Sequence, residues 1–246
     1  TYALYEYDLN NHKAYFIADM EAEILRRGEV SSIIKQKTDY FIGFKSSGLI
    51  QLKYMPDSKV KYSLQSINVQ SGIFCLMKDR FQDIIWVGAD GQGLYMYFTD
   101  EFSIDNIMLD VPEYRVDNPV RALYQDQDQT LWIGTKGGGI LKMFDFHPDM
   151  ETLPRAERIL ASNSPLMDNS VYSFAPSRRK FLWIGTESGL NYYSYSQKRI
   201  QEFPVMADGK MVKYVHSVRE TNDSTLWVVS AGEGIVKIIL DATSLL

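Results

Sequence analysis

The sequence predicts an all-β fold of short antiparallel strands grouped in fours, a β-propeller. Three observations predict it. All four tryptophans fall in one repeating column, glycines recur at fixed places after them, and turn-rich segments separate short apolar runs. Five segments align: "VSSIIKQKTDYFIGFKSSGLIQL" (30–52), "IFCLMKDRFQDIIWVGADGQGLYMY" (73–97), "VRALYQDQDQTLWIGTKGGGILKM" (120–143), "VYSFAPSRRKFLWIGTESGLNYY" (171–193) and "VHSVRETNDSTLWVVSAGEGIVKI" (215–238). Phe41, Trp86, Trp132, Trp183 and Trp227 share a column, spaced 45, 46, 51 and 44 residues apart. That period belongs to a propeller blade.

Within each copy the elements read in order. An apolar strand opens the unit, as in "VRALY" or "VYSFA", and ends in a polar turn such as "QDQDQT" or "TNDST". The second strand carries the Trp and is apolar almost throughout ("IIWV", "TLWIG", "FLWIG"), because a blade is covered on both faces by its neighbours. The Trp is the expected filler between blades. Gly43, Gly88, Gly134 and Gly185 follow two places later, with Val229 breaking the pattern. A second glycine, Gly48, Gly93, Gly139, Gly189 or Gly234, precedes the third strand, where positive φ or a close backbone approach is expected. A looser segment then holds a fourth strand, "VKYSLQSI", "ERILA" or "RIQEF".

The polar turn before the Trp strand resembles an Asp box, with acidic or amide side chains poised to bond the turn's own backbone. A hairpin stabiliser is the expected role. The chain opens with what reads as a third and a fourth strand, "ALYEYDL" and "KAYFIAD", and its last copy reads through a third strand. The repeats therefore run as a partial copy over about 1–29, then about 30–72, 73–119, 120–170 and 171–214, and a partial copy over 215–246.

Composition removes several function classes. Net charge is −5 with acids and bases interspersed, so no basic footprint for nucleic acid or an anionic membrane is present. No apolar run approaches the roughly 20 residues that span a bilayer. Cys75 is the only cysteine, which excludes an intramolecular disulfide. His12, His147 and His216 stand in no ligand spacing, so no metal site of zinc type is expected, and no cofactor. "LWIGTKGGG" is no phosphate loop: no Gly-Lys-Ser/Thr and no helix pattern follow it, and it recurs where a nucleotide site would occur once.

The pattern V-x-x-(apolar)…D…LWIGT-x-x-G-G-L, strongest in "LWIGTKGGGI" and "LWIGTESGL", resembles the two-component regulator propeller repeat. That resemblance implies the periplasmic sensor region of a bacterial hybrid histidine kinase. The parent would carry two seven-bladed propellers, a membrane-proximal β-sandwich, one transmembrane helix and cytoplasmic kinase and regulator modules. On this reading the chain holds about five blades of a larger, seven-bladed propeller. A compact five-bladed ring with imperfect closure is the alternative.

No catalytic set stands out. Acidic pairs such as Asp126 and Asp128 fall in hairpin turns, and no nucleophile elbow is present. A binding role is expected instead, on the rim where the innermost strands begin and the post-Trp turns end. Asn118, Arg121, Asn169, Tyr172, Tyr214 and His216 belong to the strand starts. Asp90, Gln92, Lys136, Glu187, Ser188 and Glu233 belong to the turns. These positions vary between copies while the strands do not, as loops on a rigid scaffold do when they carry specificity. By resemblance the ligand is a carbohydrate: Phe74, Tyr172 and Tyr214 would stack on sugar faces, and amides and charges would bond hydroxyls. Arg121 and Lys136 leave an acidic sugar open, although the net charge argues against a broad anion-binding surface. The expected partners are an oligosaccharide or other small ligand, the remaining domains of the same polypeptide, and a second copy in a homodimer. Nucleic acid and direct membrane contact are not expected. A protein-binding scaffold and a glycoside-cleaving propeller are the competing readings.

Overall fold

The computed structural model describes residues 2–107, 115–148, 150, 154–222 and 224–240. They fall into two compact units, one of residues up to Asp90 with Tyr95–Asn106, the other of Gly91–Leu94 and residues from Ile107 onward.

The first unit begins with an antiparallel hairpin, β1 (Ala3–Asp8) and β2 (Lys13–Asp19), followed by a short helix, α1 (Glu21–Arg27). The hairpin matches the strand pair read at the chain start. The helix was not legible there. Its first turn holds Glu21 and Glu23 and its last turn Arg26 and Arg27, a charge order that suits the helix dipole. Arg27 is buried, pairs with Glu23 at 2.6 Å and donates to the Ser66 hydroxyl at 2.7 Å. It thereby ties the helix to the next sheet. That sheet runs β3 (Val30–Gln36), β4 (Asp39–Phe44), β5 (Leu49–Tyr54) and β6 (Tyr62–Ile67), in sequential antiparallel order. A second of the same design follows: β7 (Ile73–Lys78), β8 (Ile84–Ala89), β9 (Leu94–Phe98) and β10 (Ser103–Ile107).

The second unit repeats the design twice. One sheet is β11 (Val120–Gln125), β12 (Leu131–Thr135), β13 (Ile140–Met143) and β14 (Ala156–Ile159); the next is β15 (Val171–Pro176), β16 (Phe181–Thr186), β17 (Leu190–Ser194) and β18 (Arg199–Phe203). A two-stranded ribbon, β19 (Met206–Ala207) and β20 (Lys210–Met211), precedes a three-stranded sheet of β21 (Val215–Asn222), β22 (Thr225–Ser230) and β23 (Gly234–Ile239). Four sequentially ordered, antiparallel four-stranded sheets are propeller blades.

The tryptophan column explains the packing. Trp86, Trp132 and Trp183 are buried, and Phe41, in the same column, is 1% exposed. Within the second unit, Trp132 sits in one cluster with Leu182, Ile184 and Tyr193 of the following blade, and Trp183 in another with Leu226 and Val228. Each buried indole N–H has an acidic acceptor: Asp79 for Trp86 (2.8 Å), Asp126 for Trp132 (2.9 Å), and Glu220 of the next blade for Trp183 (3.0 Å). The Asp-box reading therefore holds for Asp126 and gains a second role. One of its oxygens accepts the Asp128 and Thr130 backbone N–H groups, and the other caps the indole.

Trp227 departs from the expectation of an inter-blade filler: it is 36% exposed. Lys237 stands over its ring, 5.7 Å from the centre. The glycine column has the same logic. A Cβ on Gly43 would come within 2.7 Å of Ile73, on Gly134 within 2.8 Å of Val171, and on Gly185 within 2.4 Å of the Val215 carbonyl. Each of those neighbours is the first residue of the next inner strand. Val229, where the column breaks, is 38% exposed.

Candidate functional site

The site is built on a backbone irregularity that recurs. In every blade the pairing of first and second strands skips one residue, between Val30 and Ser32, Ile73 and Cys75, Val120 and Ala122, Val171 and Ser173, and Val215 and Ser217. The skipped residues are Ser31, Phe74, Arg121, Tyr172 and His216. A bulge releases its residue from the ladder and re-aims its side chain. The position thus changes freely in chemistry while the flanking Val, Ile, Ser and Ala stay in register.

In the second unit β11, β15 and β21 lie side by side, which brings Arg121, Tyr172 and His216 onto consecutive inner strands. The rings of Tyr172 and His216 stack, 4.7 Å apart with an 18° interplanar angle. The Tyr172 hydroxyl donates to Glu187 Oε2 at 2.7 Å. Burial pushes the Tyr172 phenol up to about 12, the Glu187 carboxylate adds to the shift, Arg121 opposes it, and Asp168 adds a little more. The centre therefore combines an aromatic platform, a guanidinium and a carboxylate.

The surrounding loops are stitched together by backbone bonds. Lys136 N–H donates to the Pro119 carbonyl, and Gly137 and Gly139 N–H donate to the Asn169 carbonyl at 3.1 and 2.8 Å. Glu187 N–H reaches the Ser170 carbonyl, Tyr214 N–H reaches the Glu187 carbonyl, and Ala231 N–H reaches the Tyr214 carbonyl. Each post-Trp turn is thus held by the start of an inner strand, its own or the next. Asn118 donates its amide to the Lys136 carbonyl at 3.1 Å, and the Asn169 side-chain oxygen accepts from Ala161 N–H at 2.8 Å. These two asparagines brace the loops that present the other side chains. Lys136, His216 and Tyr214 are exposed, and Tyr214 holds a positive φ of 50°. Glu233 accepts from the Ser230 hydroxyl at 2.8 Å, so it too fixes a turn.

Asp90 and Phe74 belong to the first unit. Asp90 N–H donates to the Gly72 carbonyl, and its own carbonyl accepts from the Ser71 hydroxyl at 3.0 Å. One participant escaped the sequence reading. Asp168 accepts from Ser170 N–H at 2.7 Å and from the Ser188 hydroxyl at 2.8 Å, fixing the turn beside Tyr172. The matching dipeptides Asp117-Asn118 and Asp168-Asn169, each two residues before an inner-strand Val, would have flagged it.

Comparison with known proteins matches the geometry. The two-component regulator propeller family matches residues 115–137 and 165–188, each stretch running from the loop before an inner strand through the Trp strand. Two stretches of the chain thus match the two-component regulator propeller repeat. The chain is 27% identical over 186 residues to the histidine kinase P4 of Formosa agariphila, an alignment covering 74% of this chain and 13% of that protein. Among solved structures, it resembles the extracellular domain of a candidate hybrid two-component system of B. thetaiotaomicron. That match has a TM-score of 0.58 and 17% identity, and covers 86% of this chain and 33% of the other. The repeat-bearing chain therefore spans a small part of the curated relative and a third of the structural one. No helix among its described residues is long and apolar enough to cross a membrane.

Proposed function

We propose that these propeller repeats form part of the periplasmic sensor region of a hybrid two-component histidine kinase, and that the rim around Tyr172 binds an oligosaccharide. The observation that carries the binding reading is the Tyr172–His216 stack on the bulges of adjacent strands, flanked by Arg121 on the bulge of the preceding inner strand and by Glu187 in the turn after β16. Aromatic faces take the C–H face of a pyranose, while carboxylate, guanidinium and amide groups take its hydroxyls. The kinase context comes from the family match and from the curated relative. On this reading the rim carboxylates hold side chains and turns in place: Glu187 is engaged by Tyr172, and Asp168 by Ser170 and Ser188.

On this reading the chain does no chemistry. Ligand binding would shift the packing of the propeller against the remaining domains of the polypeptide, or the arrangement of two copies in a dimer. Such a shift requires different contacts in the two states. A thermal-shift screen against defined neutral and acidic oligosaccharides tests it. Stabilisation by one sugar, lost in His216→Ala, supports the sensor. Sugar cleavage would replace it with the enzyme reading, and no response across the panel would sink the carbohydrate assignment.

A protein-binding scaffold is favoured by one observation only, the apolar face of β22 and β23, where Trp227, Val229, Ile235 and Ile239 are exposed. The buried counterparts of that face in the preceding blades are covered by another sheet of the same design, so the face has the chemistry of blade-to-blade packing more than that of a separate docking site.

A further inference from the structure

The opposite rim of the second unit, at the other end of the same sheets, holds a feature the oligosaccharide reading does not use. There the β11–β12 hairpin turn borders two adjoining cavities, of 720 and 460 Å³, the larger also lined by Phe144 and Arg155 and the smaller by the β15–β16 turn, and their walls share Asp126, Asp128 and Tyr195. The larger lies within the range of small-molecule sites.

Its floor is an aromatic cage around an ammonium. Lys142 stands directly across from Trp132 in the strand register, so both side chains take the same face of the blade. The Lys142 Nζ lies 4.7 Å from the Trp132 ring centre and 4.9 Å from those of Phe144 and Tyr193. Its side chain is 6% exposed, and its one carboxylate partner among the described residues is Glu157, at 3.1 Å and 55% exposed. Ring faces attract a cation but accept no strong hydrogen bond, and an ammonium carries three donors. The Arg155 guanidinium lies 4.1 Å over the far ring of the cage, Phe144.

The charge balance of the two cavities runs against that of the chain. The chain carries −5, yet the described walls hold five cations, Lys142, Arg155, Arg178, Lys180 and Lys198. Four carboxylates face them, Asp126, Asp128, Asp145 and Glu157, so the walls carry one cation more than they do carboxylates once Lys142 is set against its partner Glu157. We infer that this trough is a second binding site, distinct from the Tyr172 rim, for a small organic carboxylate carried on a ring. The ring lies against Phe144, Tyr193 and Tyr195, and the carboxylate takes the donors of Lys142 and Arg155.

The test is calorimetric titration with sodium glucuronate and sodium benzoate, each against an uncharged counterpart, glucose and benzyl alcohol. Either carboxylate should bind about tenfold or more tightly than its neutral partner. The arm that binds shows whether a saccharide or an aromatic ring is the natural body. Arg155→Gln changes an exposed residue and should weaken binding about fivefold or more without touching the fold. Lys142→Met keeps the apolar stem in the cage, and should abolish binding while circular dichroism and melting report an intact blade. The inference is overturned if the neutral compounds bind equally, if neither carboxylate binds up to about 50 mM, or if both variants retain full affinity. The neutral-oligosaccharide response of the opposite rim is read separately with His216→Ala, so either assignment can fail alone.

Discussion

Tyr172 and His216 stack face to face, 4.7 Å apart, although they stand 44 positions apart in the chain. Both occupy the bulge of an inner strand, and the Tyr172 hydroxyl is held by Glu187 at 2.7 Å. His216 is exposed, so it can be removed without opening the core. His216→Ala should change stability by no more than about 1 kcal/mol, an ordinary surface effect, while lowering affinity for a bound oligosaccharide about tenfold. Calorimetry and chemical denaturation on the same sample check both; unchanged affinity would remove the stack from the site.

The charged part of the rim gives a second test. Arg121→Gln with Lys136→Gln should abolish binding of any acidic sugar and move the melting temperature by no more than about 3 °C. Neutral-sugar binding should survive. A loss of both would mean that the pair orders the loops, not the ligand.

Alkaline pH provides a third. The Tyr172 phenol is pushed up to about 12, from an unfolded value near 10. The folded chain therefore keeps a proton that the unfolded chain loses. The resulting stabilisation is complete below pH 10 and disappears as pH rises through about 12. Tyr40 behaves likewise, raised to about 12 by burial and by Glu6, whose carboxylate it meets at 2.5 Å. In urea titrations the stability gap between the parent and Tyr172→Phe should narrow from pH 10 to 12. A gap that stays constant would show that this phenol is not held neutral by the fold.

The tryptophan column makes a graded prediction. Trp132→Ala and Trp183→Ala should each cost about 3–5 kcal/mol, because the ring is enclosed and its acidic acceptor is stranded. Trp227→Ala, at a site 36% exposed, should cost less than about 2 kcal/mol in this chain. Equal losses at all three would contradict the packing described here.

Glycine 185 and Val229 test the same interface from the backbone side. Gly185→Val places its first side-chain carbon 2.4 Å from the Val215 carbonyl, and should destabilise by about 3 kcal/mol or more. The reverse exchange, Val229→Gly, should cost only about 1 kcal/mol, the entropic and contact loss of a half-exposed strand residue. Thermal denaturation of the two variants settles the comparison.

Much of this was written in the linear chain, because a blade is a local object. Strand, turn and glycine lie within about 25 residues of one another, so the period, the strand order and the buried Trp column follow from pattern alone. The bulge residues stand at a fixed offset from that frame for the same reason. Three things were decided only by tertiary packing. The exposure of Trp227 depends on whether another sheet covers its face, which its own sequence context does not encode. The choice of Glu220 as the acceptor for Trp183 is made across a blade interface. The Lys142 cage assembles rings from β12, β17 and the segment after β13, and only their packing brings all three within 5 Å of one ammonium. Periodicity specifies what each sheet is, whereas contacts between sheets specify which side chains share a pocket, since those depend on distances that no local pattern carries.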